Sequence, residues 1–293
     1  MLTLLYHNLL TSCADGLPVA GHQTTLASFR AHIRRLRDKL LHPLEVHEQL
    51  LRGKKPSGVL ITFDDGAGGV IEAGRELAEI GAVGVAFVCP GSITSGLWFY
   101  TLADALVRTS VTDLKWRDCE MYLGTPILRR NAYRLLSEKL FDMTPADRDI
   151  CLKEIQSVLS PRSGQMNAGL EVLDFAGVRT AVETGGLILG NHSWSHPNLT
   201  TLGDTELREE LDSSQKWFDA SGLPVLPWFA FPRGRHDQRV RSEVAKRYPI
   251  AFGATPDDTD VLPRTGIYGP DSNRLRFAMK TAIEGRVRRW LRR

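Results

Sequence analysis

Val59-Leu60-Ile61-Thr62-Phe63-Asp64-Asp65-Gly66 is the stretch on which the reading of this chain turns. An apolar run that breaks into two adjacent carboxylates reads as a buried parallel strand delivering acidic side chains at its C-terminal end. In α/β barrels that end carries the catalytic groups. Neighbouring carboxylates repel each other when both are ionised, so a buried pair needs a cation or a proton. Downstream, Leu187-Ile188-Leu189-Gly190-Asn191-His192-Ser193-Trp194-Ser195-His196 repeats the pattern, now with two imidazoles four residues apart. One Asp with two His makes a facial ligand set that leaves coordination positions open for water and substrate. The other Asp is then free to act as a base. Taken alone, each motif also has a plain structural reading, as a turn or as a helix cap.

Outward from these two stretches, strands and helices alternate. Leu2 to Tyr6 reads as a first buried strand ending at His7, and Leu26, Phe29, Ile33, Leu36 and Leu40 recur at helical spacing. After Gly66 a helix runs to about Ile80, and a strand follows from Val83 to Cys89, giving a βαβ unit and hence a parallel sheet. Residues 97–162 differ: helical segments at Leu97–Val107, Ile127–Phe141 and Ala146–Leu159 carry no strong strand signal between them. This segment reads as a helical insertion. Beyond it come a helix from Leu170, the histidine strand, a long helix over Thr200–Ala220, the strand Trp228–Phe231, a helix over Asp237–Tyr248, the strand Ile250–Ala254 and a terminal helix over 273–293. The pattern is that of an α/β barrel or a doubly wound sheet.

At 293 residues with 42% hydrophobic and 24% charged content, the chain fits one large α/β domain. A net charge of +3 lacks the basic excess of a nucleic-acid binder, so no nucleic-acid partner is expected. The first residues do not read as a signal peptide, and no apolar run is long enough to cross a bilayer. Cys13, Cys89, Cys119 and Cys151 lack the spacing of a zinc knuckle or redox motif and read as free thiols in a reducing, cytoplasmic setting.

Thr62-Phe63-Asp64-Asp65-Gly66 and His192-Ser193-Trp194-Ser195-His196-Pro197 resemble the first two motifs of the polysaccharide deacetylases, the NodB-homology group of carbohydrate esterases. The resemblance extends to Tyr6-His7, to Phe231-Pro232-Arg233-Gly234 and to Leu262-Pro263-Arg264. It implies an α/β fold, a distorted (β/α)7 barrel forming one NodB-like domain over 1–293, with the insertion at 97–162. It further implies one divalent metal ion and hydrolysis of an N-acyl group, usually N-acetyl, on an amino sugar. Carried over, Asp64 corresponds to the general base and Asp65, His192 and His196 to the metal ligands. Zinc is the first expectation, with cobalt, nickel and iron also suited to these donors.

Two departures from the family pattern stand out. The third motif usually begins with arginine, but the matching position is Ala230, and Arg264 is the residue available to replace that guanidinium. The late histidine that protonates the leaving amine is missing, since no histidine follows His236. His7, at the mouth of the first strand, is the expected replacement acid, with His236 second. Trp98, with Phe99 and Tyr100, is a candidate stacking platform for a sugar, set against ordinary helix packing. Ile283, Val287, Trp290 and Leu291 form an apolar stripe among arginines, a pattern for peripheral contact with an anionic membrane or phosphate.

The expected activity is cytoplasmic, possible membrane contact included: removal of an acyl group from an N-acylated amino-sugar intermediate such as a sugar nucleotide, a lipid-linked saccharide or an amino-sugar natural product. The competing readings are a deformylase or ring-amide hydrolase of the same family, and a metal-containing glycan binder without turnover.

Overall fold

A computed structural model describes residues 1–12, 17–19, 22–167 and 169–290, with 270, 272 and 283–290 as main chain only. Its frame is a single parallel sheet. In chain order the elements begin with β1 (Leu2–Tyr6), the short parallel pair β2 (Asn8–Leu10) and β3 (Gln23–Thr25), α1 (Leu26–Leu36), α2 (Pro43–Leu51), β4 (Val59–Phe63), α3 (Val70–Glu79) and β5 (Gly84–Val88). The chain then leaves the sheet through α4 (Ser92–Ser95), α5 (Trp98–Arg108), β6 (Asp113–Trp116), β7 (Cys119–Tyr122), α6 (Pro126–Phe141) and α7 (Pro145–Leu159). It returns through α8 (Phe175–Glu183), β8 (Leu187–Asn191), α9 (Asp204–Ser221), β9 (Val225–Ala230), α10 (Gln238–Ala245), β10 (Ile250–Phe252), β11 (Thr265–Gly266) and α11 (Arg274–Trp290).

The seven sheet strands lie in the order β10-β9-β8-β5-β4-β1-β11, all parallel. The segment ending in β11 touches both edges of this sheet. Leu262 N donates to Ala251 O at 2.9 Å and Gly253 N to Leu262 O at 3.0 Å, while a few residues on Ile267 N donates to Leu5 O at 2.7 Å. One stretch of chain therefore joins the first and last strands, and the sheet curls into the distorted (β/α)7 barrel. Closure of this kind satisfies edge groups that would otherwise be left unpaired.

Side-chain alternation along the strands sorts the interior from the helix-covered exterior. Val59, Ile61 and Phe63 of β4 pack outward with Phe29, Ile33 and Leu77, whereas Leu60 packs inward with Val85, Phe87, Trp228, Ala230 and Phe252. The inward register of β4 is thus Leu60, Thr62 and then Asp64. In β8 it is Ile188, Gly190 and then His192, and a Cβ at Gly190 would stand 2.5 Å from the Phe87 ring. Only glycine allows β8 to approach β5 this closely.

The excursion between β5 and α8 has its own apolar core, formed by Leu102, Leu106, Leu114, Leu136, Leu140, Ile155 and Leu159. It is not wholly helical: β6 and β7 form an antiparallel hairpin, with Trp116 paired to Cys119. Thr144 caps α7 as its Thr-Pro sequence predicts, accepting from Asp147 N at 3.2 Å. The start of α11 docks through Phe277, whose ring stacks on His32 of α1 at 3.6 Å between centroids. The stripe Ile283, Val287, Trp290 and Leu291 and its arginines lie outside the described side chains. No helix among the described residues is long and apolar enough to cross a membrane.

Candidate active site

The inward register brings the two sequence motifs together. Asp64 N continues the sheet by donating to Tyr6 O, and His192 N does so by donating to Val88 O, so both residues emerge from the same end of the barrel. Beyond them the backbone turns sharply. Asp65, Ser193 and His196 hold φ of 78°, 69° and 55°, the left-handed region that non-glycine residues seldom occupy. Such conformations persist only where the surroundings fix them, and they cluster at functional sites.

Here the surroundings are specific. Glu210 of α9 accepts from Trp194 N and Ser195 N, each at 3.0 Å, and from Ser195 Oγ at 2.5 Å. From the other side, the Trp98 indole donates to His196 O at 3.1 Å and Arg148 Nη1 to Ser195 O at 3.3 Å. The His192–His196 loop is clamped between a barrel helix and the excursion. Burial pushes the Glu210 carboxyl up, against the pull of its hydrogen bonds from Ser195 and Trp194.

The ligand-type atoms of Asp65, His192 and His196 lie within 4.8 Å of one another, and all three residues are buried. Asp65 Oδ1 stands 3.5 Å from Nε2 of His192 and 3.5 Å from Nε2 of His196. These separations are long for hydrogen bonds. They match the spacing of about 3.4 Å between tetrahedral ligands that each sit about 2.1 Å from a zinc ion. His192 Nδ1 donates to Ala230 O at 2.8 Å, which places its proton there and leaves the Nε2 lone pair for a cation. Burial pushes His196 down to about 3, so its ring is neutral, as a ligand must be. Burial opposes the charge on Asp65, but the two histidines more than offset it and hold that carboxyl well below its ordinary range. The two 3.5 Å separations, the His192 tautomer and the mixed carboxylate–imidazole donor set fit a divalent metal.

Asp64 lies beside this set, its Oδ2 3.7 Å from His192 Nε2. Its counter-ion is Arg264, wholly buried, which donates from Nη1 to Oδ1 at 2.6 Å and from Nη2 to Oδ2 at 2.7 Å. The fork is itself held, with Arg264 Nε donating to Gly253 O at 2.6 Å. Burial alone would raise the Asp64 carboxyl. Arg264 and His192 outweigh it and bring the group below the ordinary value. Ala230 faces inward on β9 with no charge to offer, and the guanidinium enters from the closing segment instead.

A cleft of about 670 Å³ opens over these residues. His7 lines it and stacks on His22, with ring centroids 5.0 Å apart; among the described residues His7 Nδ1 has no hydrogen-bond partner. His22 is a cleft residue that sequence reasoning did not single out, and burial with the neighbouring His7 pushes it down to about 4. His236 is instead paired with Asp258 at 2.8 Å and does not line the cleft. Trp98 is 5% exposed and is also absent from the cleft wall, because its indole is spent on the backbone of His196. The aromatic ring presented there is that of Phe99, 4.9 Å from the His196 ring. One face of α6, running through Arg130, Tyr133, Arg134, Ser137 and Glu138, forms the far wall.

Comparison with known proteins bears on the fold and on residues 166–252. The polysaccharide deacetylase family profile matches residues 166–252. An uncharacterized 30.6 kDa protein of Geobacillus stearothermophilus is 40% identical over 56 residues, which are 19% of this chain and 21% of that one. Among solved structures, the Streptococcus pyogenes deacetylase PplD in complex with acetate superposes with a TM-score of 0.59 at 15% identity, covering 93% of this chain and 95% of that one. IcaB from Ammonifex degensii gives 0.57 at 15% identity, covering 95% and 96%. The polysaccharide deacetylase BC0361 from Bacillus cereus gives 0.56 at 16%, covering 95% and 68%. At these identities the structural matches speak for the fold, and residues 166–252 together with the two motifs are similar to the polysaccharide deacetylase family.

Proposed function

We propose that the protein is a metal-dependent amide hydrolase that removes an N-acyl group, in the first instance N-acetyl, from an amino sugar. The observation that carries this reading is the convergence of Asp65, His192 and His196 on one point beside an Asp64 pinned by Arg264. Asp65 Oδ1 and the two Nε2 atoms would hold the cation, and their near-tetrahedral spacing supports zinc. When bound, the metal supplies Lewis-acid polarisation of the acyl carbonyl and lowers the pKa of water.

The remaining steps belong to the chain. Asp64 stays ionised beside Arg264, and each of its oxygens keeps a second lone pair after the bidentate contact. It can therefore take a proton from a water in the cleft while Arg264, a positioning residue, keeps the carboxylate plane fixed. The amine that leaves needs a proton in return. His7 lines the same cleft and is proposed as its donor. The α6 wall, which narrows the approach, favours a small biosynthetic intermediate over a polymer.

Protein stripped of metal and reloaded with zinc is expected to bind one equivalent and to release acetate from N-acetylated sugars. Asp65→Asn should lose both properties, together with the rise in thermal stability that zinc gives, about 2.7 kcal/mol when zinc is at a hundred times its Kd. Stoichiometric zinc with no acetate from any amino sugar would overturn the proposal.

A further inference from the structure

The charges that line the cleft do not cancel. Asp64 is matched by Arg264, Asp65 belongs to the set that would hold the divalent cation, and Glu138 is paired with Arg233 at 2.8 Å. Arg130 and Arg134 remain, and among the described residues neither has an acidic partner. They stand four residues apart on α6, so both guanidiniums project from one helix face, a turn from each other. A like-charged pair at that spacing weakens a helix, so helix stability does not explain it. The aligned face also presents Tyr133 and Ser137 to the cleft, which makes the arginines part of a lined wall.

We infer that the substrate carries a phosphoryl group next to its acylated amino sugar, and that Arg130 and Arg134 bind that group. The inference rests on the hydrolase reading of the site and narrows its substrate class. Two uncompensated guanidiniums supply two positive charges, the complement of a phosphate dianion and more than one carboxylate requires. Guanidinium forks match phosphate oxygens in geometry as well as in charge. Because α6 belongs to the excursion between β5 and α8, the barrel supplies the chemistry and the excursion reads the anion. A phosphate monoester and a nucleotide diphosphate share this chemistry.

The test uses the full, zinc-loaded chain and follows both calorimetric binding and acetate release. The probes are N-acetylglucosamine 1-phosphate, UDP-N-acetylglucosamine, N-acetylmuramic acid and methyl N-acetylglucosaminide; the first two separate monoester from diphosphate. The phosphorylated sugars are expected to bind about tenfold or more tightly than the methyl glycoside, with the advantage shrinking as salt is raised. Arg130→Gln with Arg134→Gln should cut the ratio of phosphorylated to neutral kcat/KM by about ten- to a hundredfold. Arg208→Gln, on α9 and outside the cleft, should leave the ratio unchanged. Equal binding of phosphorylated and neutral sugars, a stronger preference for the carboxylated sugar, or a preference that survives the double substitution would overturn the inference. Acetate release without phosphate preference would leave the hydrolase standing alone. Arginine-dependent binding without acetate release would do the reverse.

Discussion

Arg264 and Asp64, 200 positions apart in sequence, meet in the barrel interior through two parallel hydrogen bonds of 2.6 and 2.7 Å. The pair is buried on both sides, so neither partner can be removed without stranding the other's charge. Arg264→Met should cost about 3–5 kcal/mol of stability by chemical denaturation. Arg264→Lys keeps the charge and loses the fork. It should remain folded and zinc-loaded while kcat falls about a hundredfold, which separates orientation of Asp64 from its neutralisation.

Glu210 accepts three hydrogen bonds from the His192–His196 loop and touches neither histidine ring in doing so. Glu210→Ala leaves two part-buried backbone donors, Trp194 N and Ser195 N, without that partner. Zinc affinity, measured by competition with a chelator, should fall about 10- to 100-fold, as expected when support around a ligand is lost. Unchanged affinity would mean that Trp98 and Arg148 suffice to hold the loop.

His7 offers a different split. If it delivers the proton to the departing amine, His7→Ala should lower kcat by about 10²- to 10⁴-fold while the zinc content stays near one equivalent. Phenyl or nitroaryl amides, whose leaving amines need less protonation, should lose less. Unimpaired turnover of a sugar substrate would remove His7 from the mechanism.

His32 contributes to the response to acid. Its Nε2 donates to Asp271 O and its Nδ1 accepts from the Tyr6 hydroxyl, each at 3.2 Å, an arrangement only the neutral ring can make. Burial pushes the group down to about 4 in the folded protein. Between that value and the ordinary 6.5 the unfolded chain binds the proton and the folded one does not, so stability rises with pH across the window. The contribution is complete above about pH 6.5 and lost as the pH falls to about 4, about 3 kcal/mol in all. Urea denaturation at both ends of the window should show this loss in the native protein and a smaller one in His32→Gln.

The meeting of Asp64 and His192 was legible because alternation is strict. An apolar strand that ends in Asp64 must present Thr62 and Asp64 on the same side, and one that ends in His192 must do likewise. Other features left weaker traces. The β6–β7 hairpin turns through Arg117, with φ 53°, and Asp118, where Asn-Gly would have announced it. The helix α2 is capped by His42 and buries only Pro43 and Val46, too little to stand out as a stripe. Glu210 follows Glu209 in a charged helix, and nothing local says which of the two turns inward. Arg130 and Arg134 read as a solvated helix face until tertiary packing lays that face over the cleft. Of the aromatic run at the start of α5, the turn of the helix aims Trp98 at the His196 carbonyl and Phe99 at the opening, which the run alone does not reveal.

The stretch that joins both sheet edges also carries Arg264, and this sets a timetable for synthesis. A nascent polypeptide paused before that residue leaves the ribosome exit already contains both aspartates and both histidines, yet it has an open edge and no counter-charge for Asp64. The open edge and the lone charge are thus resolved together, in the one event that docks Arg264.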